Sequence, residues 1–365
     1  KEDYKEKVFL PTGISFVATL FFIIVLSFGY EHSAVTSTEY LTDLCERVEY
    51  DEPWNEYIHQ TCSRSCCCDS KGQNCRTEYY DCSYVDYHPA RYTLYTVHGK
   101  SFSISEEYYV FLKNKFGNSQ FVELHRNYYT IDGDRYVSYW DRSYQKHEVT
   151  NWTGTYENRI KPSHSIFKFR DLKPQEIKAY SIKDYPEVRG LYQNAVLGSF
   201  KPTSNNLEGV KKINYLNGLF GHDKQVKMFV MIYNNNDQMT GEYQKDYLKG
   251  GNKNEINICI GVDSASGKVN WTYVFSWSRS EKLKIEIRDY LQSQQQLDLL
   301  ALANYLEIKV PEEFVRRQFK EFKYIKIDMP GWIFITVILI SIISFVVSFF
   351  VIQNNNNFGK NKYRW

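Results

Sequence analysis

Two long stretches without a charge constrain this chain more than any other feature. Val8 to Tyr30 (VFLPTGISFVATLFFIIVLSFGY) and Gly331 to Ile352 (GWIFITVILISIISFVVSFFVI) hold 23 and 22 residues. A helix crosses a bilayer with about 20 apolar residues, so each is long enough. Tyr30 and Trp332 stand at their ends, where amphipathic rings favour the headgroup zone. A signal peptide competes for the first stretch, but the apolar run is long for one and no A-x-A site follows. A buried core helix competes for the second, yet such helices are usually shorter between charges. The expectation is two transmembrane helices, 8–30 and 331–352, flanking one large domain. A mean hydropathy of −0.50 excludes a polytopic transporter.

Two crossings place both termini on one side. The tail at 353–365 carries Lys360, Lys362 and Arg364 without an acid, and the tail at 1–7 carries Lys1, Lys5 and Lys7 among three acids. The positive-inside rule counts bases, so both tails read as facing the cytosol or its equivalent. Residues 31–330 then lie across the membrane. In the second stretch Ser341, Ser344 and Ser348 recur at i, i+3 and i+7. They form either a small-residue packing face or hydroxyls that bond their own helix carbonyls.

Seven of the eight cysteines crowd into 45–82: Cys45, Cys62, Cys66, Cys67, Cys68, Cys75 and Cys82. On the far side of a membrane that density reads as disulfides in an oxidising luminal, extracellular or intermembrane space. Pairing cannot be called from spacing. A zinc ribbon needs C-x2-C pairs, and the run C-x3-C-C-C lacks them. Asn151-Trp-Thr and Asn270-Trp-Thr are glycosylation sequons that agree with that side. Cys259, alone in an apolar run, reads as a core residue.

The domain divides by composition. Residues 31–90 form a Cys-rich stapled entry, 91–174 an aromatic-rich mixed β module, and 175–330 an alternating helix–strand module. Ser103-Ile-Ser-Glu106 reads as a capping box for a helix over 105–116, stopped by Gly117. Asp132-Gly-Asp134 between 121–131 and 135–139 reads as a hairpin turn rather than a calcium loop. Asn205–Phe220 spaces Leu207, Val210, Ile213 and Leu216 as one helical face. VKMFVMIY (226–233), INICIGV (256–262) and VNWTYVFSW (269–277) read as strands, and Thr240–Lys249 as a short helix stopped by Gly250-Gly251. Ile285–Leu302 reads as helical, and Pro311 as the first residue of a last helix running toward the second span. The fold class is therefore α+β.

The order VKMFVMIY, EYQKDYLK, GGNKNE, INICIGV resembles the TPM domain family over roughly 184–305. That resemblance implies a membrane-tethered α/β domain. It further implies a calcium or magnesium ion, with Asp184, Asp263 and Asp289 as the residues that stand for its ligands, and phosphatase-like hydrolysis as an activity. The family's glycine-rich strand end is here FSWSRSEKLK. As structural residues, Asp263 would serve a turn and Asp289 a helix N-cap.

No phosphate loop, zincin motif, nucleophile elbow or dinucleotide fingerprint occurs. The eight histidines form no i, i+4 pair. A net charge of +2 gives no basic field for nucleic acid. The aromatic load of 31 Tyr, 23 Phe and 7 Trp suits either strands or interfaces. The leading expectation is a double-anchored structural or interaction subunit of a membrane or envelope assembly. Its partners would be the lipid bilayer and other subunits, with no cofactor. The alternative is a divalent-metal-dependent hydrolase built on the TPM-like module.

Overall fold

The computed structural model describes residues 2–66, 68, 75–117, 119–124, 133–139, 147–163 and 169–361; side chains of 2–16, 18, 351–352 and 354–361 lie outside the description. The chain opens with α1 (Glu2–Val35) and continues through β1 (Thr36–Asp51), β2 (Trp54–Ile58), β3 (Thr61–Cys66), β4 (Arg76–Asp81), β5 (Tyr84–His88), β6 (Arg91–Thr96) and β7 (Ser101–Ser103). Next come α2 (Glu106–Phe116), β8 (Gln120–Val122), β9 (Arg135–Tyr139), β10 (Val149–Glu157), α3 (Pro174–Ala179) and β11 (Val196–Leu197). The last part holds α4 (Ser204–Gly221), β12 (Lys227–Tyr233), α5 (Met239–Tyr247), β13 (Glu255–Val262), β14 (Val269–Ser276), α6 (Glu281–Ser293), α7 (Leu299–Glu313), a 3-10 turn (Phe319–Phe322) and α8 (Gly331–Asn361). Two compact units result: 1–39 with 155–171 and 318–365, and 40–154 with 172–317.

The first unit is a helix pair with a collar. Gly331–Phe350 of α8 has a mean hydropathy of 2.9 over 20 residues, about 30 Å at helical rise, which matches a bilayer core. It is the one candidate span among the described residues. In α1 the described apolar stretch is Thr19–Val35, shorter than a crossing needs, so the expectation of two spans is met by one helix only. The two helices pack together. Ile333, Thr336, Val337, Ile340, Ser341, Ser344 and Ser348 form the shielded stripe of α8, with Ser348 buried. Small side chains on that stripe let backbones approach. Ser341 also donates to the Val337 carbonyl of its own helix at 2.8 Å. Tyr30 meets Trp332 edge-on at 6.3 Å. Arg159 closes the collar: it pairs with Glu31 at 2.7 Å and Glu157 at 2.6 Å, and donates to the Ile325 carbonyl at 3.1 Å.

The second unit holds two sheets. One is antiparallel, in the order β7-β6-β1-β9-β8, with β10 also on β1. Tyr50 of β1 lies directly opposite Tyr92 and Tyr136 in register and stacks on both, at 5.0 and 5.9 Å. Tyr109 and Leu112 of α2 cover this face together with Cys45, Val48 and Leu94. The α2 cap is Ser105, which accepts from the Tyr108 amide, rather than Ser103. Gly117 ends the helix at φ 107°, a conformation that suits glycine.

The other sheet runs β11-β12-β13-β14, with the first three parallel and β14 antiparallel. Every residue of β12 and β13 is buried, as expected for strands covered on both faces. Gly250 and Gly251 follow α5 at φ 81° and 85°. α4 begins at Thr203, whose hydroxyl accepts from the Asn206 amide, and touches α7 at Gly209, where a Cβ would stand 2.3 Å from the Leu299 backbone. Leu207 is exposed, so the apolar face of α4 is narrower than its leucine spacing suggests.

Three expectations fail here. The helix expected over 285–302 is two helices, because Ser280 caps α6 and Asp298 caps α7. Asp289 consequently lies inside α6 and caps nothing. Pro311 sits within α7 rather than opening a helix, and only the short 3-10 turn is helical between 314 and 330. An interior proline costs about 3 kcal/mol; burial of Leu302, Leu306 and Val310 offsets it.

Candidate functional site

The most distinctive surface is an arm. β2 pairs with β5 and β3 with β4, and both continue the register that pairs β1 with β6. From Arg47↔Tyr95 to Cys66↔Arg76 the pairing does not slip. The Cys82 amide bridges the break between the two ladders by donating to the Gln60 carbonyl at 2.9 Å. Between Asp51 and Cys66 this two-stranded ribbon reaches roughly 50 Å at strand rise. No described residue from 54 to 88 is buried. A lone ribbon is marginal in water, so covalent closure matters.

Two disulfides supply it: Cys62–Cys82 and Cys68–Cys75. Cys67 lies outside the described residues. Cys45 leaves the expected cluster altogether. It is buried in β1, not disulfide-bonded, and a bulge between Cys45 and Arg47 turns it into the core face. Burial pushes its thiol far above the ordinary range. Cys259 is likewise buried in β13, its thiol pushed up to about 12 by the same cause.

Side chains alternate across the ribbon, and its two faces differ. The face with Cys62–Cys82 carries cross-strand pairs beside the exposed Tyr80 and Tyr84. Trp54 stacks on His88 at 4.2 Å, Glu56 meets His88 at 2.8 Å, and Arg64 bonds Glu78 at 2.9 Å. The other face carries Tyr57, Tyr79, Val85 and Tyr87; Tyr79 is 72% exposed and Tyr87 62%. Changing Cys62 and Cys82 together to Ser is expected to loosen this arm. The closed loop spans 20 residues, worth about 3 kcal/mol of loop entropy. Limited proteolysis read by mass spectrometry should show new cuts between 59 and 83, with the melting of the rest unchanged, since no core residue lies in the arm.

A second feature is a cleft of about 390 Å³ beyond the C-terminal ends of β12 and β13, beside the N-terminus of α4. Open α/β sheets bind ligands at this end. Lys201, Thr203, Asn234 and Asp263 give it polar walls. Asp263 serves the β13–β14 turn: its Oδ1 accepts from the Ser266 amide at 2.8 Å and hydroxyl at 2.7 Å, which holds its carboxyl below the usual range. Asp184 accepts from the Tyr247 hydroxyl, and Asp289 pairs with Arg288 at 2.8 Å. These three acids are not brought to one point. The groups of His and acid side chains that converge within 4.8 Å, among the described residues, are His98–His222–Asp223 and Glu56–Asp86–His88. Asp132 lies outside the described residues.

The two sequons part company. Asn270 is exposed. Asn151 is buried, with its amide nitrogen donating to the Val149 and Leu191 carbonyls at 3.1 Å, so the folded chain withholds it from glycosylation. Its oxygen accepts from Lys227 Nζ at 2.8 Å. Lys227 is 1% exposed, and burial lowers its amine to about 7. Opposite it in register is Glu255, whose carboxyl burial pushes up, against bonds from Asn252, Tyr185 and Asn257. Sequence reasoning missed this pair. Its only signal is a charged residue at the start of each apolar run. Lys227 is buried, and its Nζ is held by Asn151.

No family model matches the chain, and no curated protein or solved structure matches it.

Proposed function

We propose that the chain is a double-anchored membrane protein acting as an interaction subunit of a membrane assembly, with the disulfide-stapled arm as its contact surface. The carrying observation is the exposure of Tyr79, Val85 and Tyr87 on one face of a ribbon whose opposite face holds the cross-strand pairs Trp54–His88, Glu56–His88 and Arg64–Glu78. Tyrosine combines large contact area, low side-chain entropy and a hydroxyl, which suits a protein interface. The length of α8, its packing against α1 and the uncharged stretch 8–30 support anchoring at both ends. Base-rich tails support termini on the cytosol-equivalent side. Two disulfides support an oxidising space for the domain between them.

The test is mild-detergent extraction and native mass analysis of the wild-type chain beside a Tyr79→Ser, Tyr87→Ser variant. The wild type should migrate in a defined complex, and the variant should be released from it. A wild type that runs alone, or a variant that stays in the complex, overturns the reading. The substituted side chains touch no core, so folding should be unaffected.

A further inference from the structure

We infer that His98, His222 and Asp223 form a binding site for a divalent ion of the zinc type, with buried Asp43 as the residue that orients His98. The argument starts from the close approach of α4 to β1. Gly221 ends α4 against the backbone of Thr42, where a Cβ would stand 2.2 Å from the Thr42 oxygen. The Thr42 hydroxyl donates to the Asn217 carbonyl at 2.6 Å and fixes the same contact. That contact places His222, the C-cap of α4, beside the turn that follows β6. The turn closes by Gly99 donating to the Thr96 carbonyl at 3.0 Å, and His98 lies within it. The rings of His98 and His222 stack at 3.7 Å.

Asp43 is 1% exposed. Its carboxylate accepts from the Leu44 amide at 2.8 Å and the His98 amide at 3.2 Å, and stands 2.9 Å from His98 Nδ1. A buried carboxylate on Nδ1 makes that nitrogen the proton carrier and leaves a lone pair on Nε2. His98 Nε2 faces Asp223 Oδ1 at 3.6 Å, and His222 Nδ1 reaches the same oxygen at 2.9 Å. His98 Nε2 and the Asp223 carboxylate, which is already hydrogen-bonded to His222 Nδ1, thus face each other, and a cation between them would bond both. Imidazole pairs with one carboxylate suit zinc and its neighbours better than calcium or magnesium. Parallel rings aim their lone pairs side by side, so binding would require the exposed His222 ring to turn about its χ2 bond and bring a nitrogen to the ion. A carboxylate behind one imidazole is the arrangement that fixes and strengthens such a ligand. The ion would pin the end of α4 to the β6–β7 turn, leaving a position for water.

The probe is zinc chloride titrated calorimetrically into the full chain in detergent micelles, with cobalt as a spectroscopic substitute. One ion per chain is expected. His98→Ala and His222→Ala should each remove it, and Asp43→Asn should weaken it about 10–100-fold. His222 is exposed, so its variant keeps the fold, which circular dichroism verifies. Unchanged affinity in His222→Ala, absence of binding in the wild type, or a thiolate-to-cobalt charge-transfer band assigning the ion to cysteines would each overturn the proposal.

Discussion

Replacing Trp271 by alanine is expected to destabilise the second unit by about 3–5 kcal/mol, the range for deleting a buried aromatic ring. Trp271 of β14 is buried, lies opposite Gly261 of β13 in register, and packs near Tyr233 at 5.6 Å. Its indole N–H donates to the Asn235 carbonyl at 3.0 Å. The ring occupies the space a side chain at 261 would need: a Cβ there would stand 1.9 Å from the indole nitrogen. Gly261→Ala should therefore also destabilise, by roughly 1–3 kcal/mol through overpacking. The double variant should lose less than the sum of the singles, because removing the indole makes room for the new methyl. Denaturant unfolding of the full chain in micelles measures all three. A neutral Gly261→Ala would contradict the close approach.

Raising the pH from 7 to 9 should stabilise the protein through Lys227. Its amine titrates at about 7 in the folded chain against an ordinary 10.5. The unfolded chain therefore binds the extra proton between those values, and stability rises with pH in that window. Below about 7 the penalty is fully present; it is relieved on the way to 10.5. The slope is about 1.4 kcal/mol per pH unit at most. Above 9 the buried thiol of Cys259 and phenol of Tyr40, both pushed up to about 12, act in the opposite sense. The unfolded chain loses those protons first. Lys227→Met should flatten the rise between 7 and 9. Unfolding free energies at several pH values test this; an equal slope in wild type and variant would place the pH dependence elsewhere.

Local signals were legible wherever a segment's own pattern decided its structure. The run KMFVMIY and the run INICIGV are strands because continuous apolar residues of that length bury both faces. Gly250 and Gly251 stop α5 because the chain needs positive φ there. The second apolar stretch is a helix long enough to cross a bilayer. The crowding of cysteines announced disulfides, two of which close the arm. Less legible were segments decided by neighbours. Pro311 looked like a helix start, yet the caps at Asp298 and the burial of Leu302 and Leu306 carry α7 through it. Cys45 looked like one more staple, yet a bulge places it in the core.

The sequence by itself determined what depends on near neighbours: an apolar helix, a cysteine-dense stapled segment, an α+β order and the absence of familiar catalytic motifs. Tertiary structure alone decided which distant residues meet. His98 and His222 share no local spacing and come together because Gly221 lets α4 close onto β1. Lys227 meets Asn151 across separate sheets, which turns a sequon into a buried hydrogen-bond acceptor. The faces of the arm were decided the same way: a register that holds from the main sheet to the tip sends Tyr79, Val85 and Tyr87 to one side and the ion pairs to the other. Composition counts tyrosines, but only strand pairing determines which of them face solvent, because alternation acts on register and register is a long-range property.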